Sequence, residues 1–163
     1  MKYPEVVGCM LLWFAACSPA LDWRQIRPEG LGIEVSFPCR PANHARTVLL
    51  GSQPVNMILH ACSIDGLTFG LASAELSDVR QVDAALAELT DAAARNIMAT
   101  IDAAGNANVP GMTPSARARR VRLAGRMPDG RAVIEHAAVF ARGARVYQVT
   151  LLGSGPPAEV VET

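Results

Sequence analysis

Four cysteines, three histidines and an arginine-dense stretch carry the reactive chemistry of this 163-residue chain. Cys39 and Cys62 stand apart from Cys9 and Cys17 at the N-terminus. Two such thiols can oxidise to a disulfide, ligate a metal or act as a nucleophile, and the redox compartment decides between these. A zinc set can be written down: His60 and Cys62 share one face of a strand because side chains alternate with period two, and His44 follows Cys39 by five residues. The spacing argues against it, because the chain has no Cys-x-x-Cys and no His-x-x-x-His. His136 lies far along the chain in an alternating run, with no acid or nucleophile at a meaningful spacing. A Gly-x-Ser-x-Gly elbow, a Gly-x-x-x-x-Gly-Lys phosphate loop and a His-Glu-x-x-His helix are all missing. The sequence therefore supplies no catalytic set, and neither metal nor cofactor is expected.

The arginines pose a different chemistry. Fifteen basic and fifteen acidic side chains cancel, which removes the simplest argument for a polyanion binder. The distribution is nevertheless uneven: Arg117 to Arg145 holds eight arginines against Asp129 and Glu135, while Asp65 to Asp102 holds seven acids against Arg80 and Arg95. Forked guanidinium groups suit phosphate and carboxylate, so Arg120, Arg122, Arg131 and Arg145 are candidates for holding an anionic partner. The bland alternative is that these charges solvate their own strands or pair with the acids for little net stability. Nucleic acid is disfavoured, since the few aromatics are dispersed rather than clustered as base-stacking platforms.

Which fate awaits the cysteines follows from the N-terminus. Lys2 precedes an uncharged run from Val6 to Ala16, and eleven helical residues extend roughly 16 Å, about half a bilayer core. Residues 1–16 are expected to be a removable signal peptide. The following Phe14-Ala15-Ala16-Cys17-Ser18 resembles the lipobox of bacterial lipoproteins. That resemblance implies diacylglycerol on the Cys17 thiol, cleavage before it and acylation of the new amino group, which together give stable membrane anchoring. Ser18 after the cysteine implies the outer membrane, facing the periplasm. The alternative is ordinary cleavage after Ser18-Pro19-Ala20, which yields a soluble periplasmic protein. In either case Cys39 and Cys62 meet an oxidising compartment and are expected to pair, closing a loop worth about 3 kcal/mol in the chain-entropy account.

The elements that must position these residues are those of one α+β domain over 31–163, preceded by a tether over 17–30. Strand patterns run over Ile33–Cys39, Ala45–Leu50, Val55–Ser63 and Leu67–Ala74, and Asp65-Gly66 is a two-residue hairpin signal. The period then changes. Val79, Val82, Leu86, Leu89, Ala93, Ile97 and Ile101 recur at spacings of three and four, which predicts one amphipathic helix of about 24 residues, roughly 36 Å, crossing an entire sheet. Ser77 or Asp78 is the expected cap. Three further strands are predicted over Arg120–Met127, Arg131–Arg142 and Arg145–Leu152, joined by the tight turns Pro128-Asp129-Gly130 and Gly143-Ala144. In the middle one, the face bearing Ile134, His136, Ala138 and Phe140 is expected to be the more buried. Residues 156–163 predict the start of a C-terminal helix. The architecture is an antiparallel sheet of about six strands in the order βββ(β)-α-βββ-α.

That order resembles the PsbP-like fold. Leu21-Asp22-Trp23-Arg24, Phe37-Pro38-Cys39, Cys62, Gly111-Met112-Thr113-Pro114, Pro128-Asp129-Gly130 and Arg145-Val146-Tyr147-Gln148 also resemble a set of uncharacterised proteobacterial envelope lipoproteins. The resemblance implies a lipid-anchored envelope protein and brings no activity with it. The function expected is a binding or assembly-accessory module with a protein or envelope component as partner. Two alternatives remain: a periplasmic enzyme gathering His60, His136 and carboxylates, and binding of anionic lipid or lipopolysaccharide by the 117–145 arginines.

Overall fold

A computed structural model describes residues 21–156 and Val160. The fold is α+β, with strands β1 (Arg24–Ile26), β2 (Val35–Phe37), β3 (Ala42–Leu50), β4 (Gln53–Ile64) and β5 (Leu67–Glu75) before the helix α1 (Val82–Asn96). Strands β6 (Thr100–Asn106), β7 (Arg119–Arg126), β8 (Ala132–Arg142) and β9 (Arg145–Gly153) follow it. Seven strands form one sheet in the order β3-β4-β5-β9-β8-β7-β6, and β1 and β2 form a separate ribbon. Every pairing is antiparallel. The sheet thus joins a three-stranded and a four-stranded meander side by side along β5 and β9, with α1 carrying the chain from the centre of the sheet to its far edge.

Local chemistry explains most of these boundaries. Asp65 and Gly66 both adopt positive φ, 51° and 77°, the geometry a two-residue turn needs to match strand twist. A 3-10 turn over Val79–Gln81 precedes α1, and the Asp78 carboxylate caps it by accepting from the Arg80 amide at 2.9 Å. The predicted 24-residue helix is not found: α1 has 15 residues, about 22 Å against a seven-stranded sheet about 29 Å wide. Its apolar stripe holds through Ala93, and Ile97 is still buried at the C-cap. Met98 then turns the chain at φ 49°, and the β-branched Thr100 and Ile101 begin an edge strand that pairs with β7. The helical spacing of Ile101 was a coincidence, and its side chain is exposed.

Two further expectations change. Arg24–Ile26, placed in the tether by sequence, pairs with Val35–Phe37. In β8 the buried face is the one bearing Val133, Glu135, Ala137 and Val139, because α1 packs there through Ala85, Leu86, Leu89, Ala93 and Ile97. The opposite face of the sheet is covered by the N-terminal segment, with Leu31 and Phe37 packed on Phe69, Leu71, Phe140 and Tyr147. Tyr147 stacks on Phe140 at 5.1 Å, and its hydroxyl donates to the Leu31 carbonyl. Val160 is helical and buried in the same cluster; the rest of the predicted C-terminal helix, like the signal peptide and Cys17, lies outside the described residues.

The disulfide forms as expected. Cys39 and Cys62 are bonded, with Cα atoms 6.0 Å apart. Cys39 follows the ribbon strand β2 and Cys62 sits in β4 of the large sheet, so the bridge fastens the ribbon to the sheet face opposite α1. Trp23 adds a second fastening, edge-on to Phe69 at 5.7 Å.

Candidate functional site

Because the ribbon covers only part of its sheet face, it leaves a cleft of about 550 Å³ against strands β6 to β9. Antiparallel register fixes the floor in two cross-strand rows. One runs Gly105, Arg120, Ala138 and Val149; the other runs Ala103, Arg122, His136, Leu151 and Phe69. Residues paired in register point to the same face, so Arg120, Arg122 and His136 converge although 14 residues of sequence separate the last two. Trp23, Glu34, Val35 and Ser36 form the opposite wall, and Val160 contributes to the rim.

The electrostatics of the cleft reduce to few groups. Arg122 forms an ion pair with Asp102, which sits at an irregularity in the register of β6. Glu34 is engaged by Arg27 at 2.6 Å. Arg120 has no ion-pair partner among the described residues, which leaves one unmatched guanidinium on the floor. Burial first, and then the Arg122 and Arg120 charges, hold the His136 imidazole below its ordinary range. It is therefore neutral near pH 7 and available as a hydrogen-bond donor or acceptor.

The four arginines singled out in sequence divide into two sets. Arg120 and Arg122 meet in the cleft. Arg131 lies beyond the β7–β8 turn, paired with Asp129 at 3.2 Å, and Arg145 opens β9, paired with Glu75 at 2.7 Å. Neither lines the cleft. The gathering of His60 with His136 that an enzyme reading requires does not occur: His60 is on β4 and His136 on β8, three strand spacings and hence at least about 14 Å apart. The His60 Nδ1 is enclosed without a hydrogen-bond partner, and burial lowers the imidazole's pKa. No cluster of three or more metal-ligating side chains occurs among the described residues, and both thiols of the conceivable zinc set are spent in the disulfide.

Sequence reasoning passed over Glu135. It is 5% exposed on the helix-covered face, opposite Leu123 on β7 and Leu152 on β9. Burial pushes its carboxyl up to about 7, against a smaller opposing effect of a hydrogen bond with Thr150. The signal was present, since an acid interrupts the apolar positions Val133, Ala137 and Val139. It was missed because the opposite face was expected to be the more buried. Glu135 lies across the sheet from the cleft and takes no part in it.

Comparison with family models, with curated proteins and with solved structures found no match to this chain.

Proposed function

We propose that this chain is an envelope lipoprotein, anchored through acyl groups on Cys17 to the outer membrane on its periplasmic side, whose domain acts as a binding or assembly-accessory module. The single observation that carries the binding role is the cleft between the β1–β2 ribbon and the sheet, with Arg120, Arg122 and His136 on an otherwise apolar floor. Largely apolar concavities with a few convergent polar groups are where ligands are held. The Cys39–Cys62 bond supports export, because disulfides persist in oxidising compartments.

Anchoring is tested by expressing the full chain in a Gram-negative host supplied with labelled palmitate. Label on the native chain and its retention in carbonate-washed membranes, both lost in Cys17→Ala, are expected. An unlabelled chain released with the periplasmic fraction would contradict the anchor and leave the soluble periplasmic alternative.

A further inference from the structure

We propose that the cleft binds an anionic amphiphile, with a phosphate or carboxylate head on Arg120 and an aliphatic body lying across the strands toward Trp23 and Phe69. The inference rests on reading the domain as a binding module, and it names that module's ligand class.

Charge matching sets the head. Of the two guanidinium groups on the floor, Arg122 is occupied by Asp102, and the nearest acid on the ribbon wall, Glu34, is occupied by Arg27. Among the described residues one cation remains, Arg120, whose planar fork is suited to two oxygens of an oxyanion. Its neighbour across β6 is Gly105, which offers no side chain to compete for that position.

The rest of the floor sets the body. From Arg120 the row continues through Ala138 to Val149, and the adjacent row passes from His136 through Leu151 to Phe69. Polarity therefore falls in one direction across β7, β8, β9 and β5, three strand spacings or about 14 Å, and ends at the edge-on Trp23–Phe69 pair. A small inorganic anion would satisfy the guanidinium and leave the apolar floor uncovered. An uncharged hydrocarbon would cover the floor and strip water from an unmatched cation, which is costly. A single molecule with both parts does neither, and about 550 Å³ is within the range of sites for small organic ligands.

Binding also acts on His136. The groups facing it are Arg120 and Arg122 on β7, with Asp102 beside Arg122 and Glu34 on the ribbon wall. Those guanidinium groups contribute to holding its pKa down, so a bound anion raises it.

The test uses the membrane-extracted full chain, held in phosphatidylcholine nanodiscs and titrated calorimetrically with decyl phosphate and with decanoate, empty nanodiscs being subtracted. Histidine-labelled protein, with the His136 signal assigned from His136→Gln, reports the site. Saturable binding of either probe with a rise in the His136 pKa is expected, and the better of the two identifies the head. Arg120→Gln is expected to weaken binding about tenfold or more, the loss of a charge-assisted pair, while Arg131→Gln leaves it unchanged. Inorganic phosphate binding as tightly as decyl phosphate, decanol binding as tightly as either, or no saturable binding would overturn the proposal. So would binding seen only after residues 157–163 are deleted, since the chain's own tail would then be the occupant. Binding to a chain that carries no acyl groups would leave the ligand class standing and defeat the anchor, so the two readings fail separately.

Discussion

Replacing Glu135 with glutamine is expected to stabilise the protein at neutral pH and to do almost nothing in acid. The carboxyl is enclosed between Leu123 and Leu152, and its pKa rises from 4.5 to about 7 on folding. The folded state therefore holds this proton more tightly than the unfolded chain does. The contribution to stability is fully present below about pH 4.5, falls as pH rises toward 7, and is constant above that. At 1.36 kcal/mol per pH unit, the difference between pKa values amounts to about 3 kcal/mol, an upper figure because relaxation and water entry soften such penalties. Glutamine keeps a donor and an acceptor for Thr150 and never ionises. Equilibrium urea unfolding of both proteins, disulfide intact, followed by circular dichroism from pH 4 to 8, isolates the effect. The difference between them cancels the histidines and the acids Asp78 and Asp129. Glu135→Gln should match the native protein near pH 4 and exceed it by about 2–3 kcal/mol near pH 8. A difference that stays flat across this range, or a variant less stable at pH 8, would refute the burial argument.

Two further perturbations follow from the packing. Removing the bridge with paired Cys39→Ala and Cys62→Ala substitutions should cost about 3 kcal/mol, read as a lower urea midpoint, and should make the Trp23–Phe69 contact sensitive to protease cleavage near the ribbon. Gly125→Ala should cost about 1–3 kcal/mol or more, because a Cβ there would lie 2.2 Å from the Ile97 carbonyl oxygen at the end of α1; Gly105→Ala, which meets nothing within 4 Å, should stay within about 0.5 kcal/mol of the native protein.

How far the sequence reaches is clearest where local chemistry acts alone. Asp65-Gly66 and Pro128-Asp129-Gly130 specify turns whatever surrounds them, and Asp78, one of the two expected helix caps, caps the 3-10 turn that leads into α1 rather than α1 itself, so β4, β5, the start of α1, β7, β8 and β9 were legible. The end of α1 was not. Ile97 and Ile101 keep a helical spacing, and only pairing with β7, a contact across the chain, draws Thr100–Asn106 into a strand. The ribbon strand β1 was hidden for a similar reason, since three exposed or half-buried residues carry no alternation until Val35–Phe37 lies beside them. The burial of β8 depended on which face α1 covers, a tertiary fact that a period-two pattern cannot contain. Within the cleft, Arg120 and Arg122 were legible only as members of an arginine-rich stretch. Their isolation from Arg131 and Arg145, and their meeting with His136, follow from register and from ion pairs with Asp129 and Glu75.

The central claim, a lipid-tethered and oxidised envelope domain, is tested most directly by the intact mass of the membrane-extracted protein before and after reduction. The account predicts a chain beginning at Cys17, heavier than its sequence by a diacylglyceryl group and an amide-linked acyl chain, and gaining the mass of two hydrogens when reduced. A chain that keeps Met1, carries no acyl groups and gains nothing on reduction would contradict it.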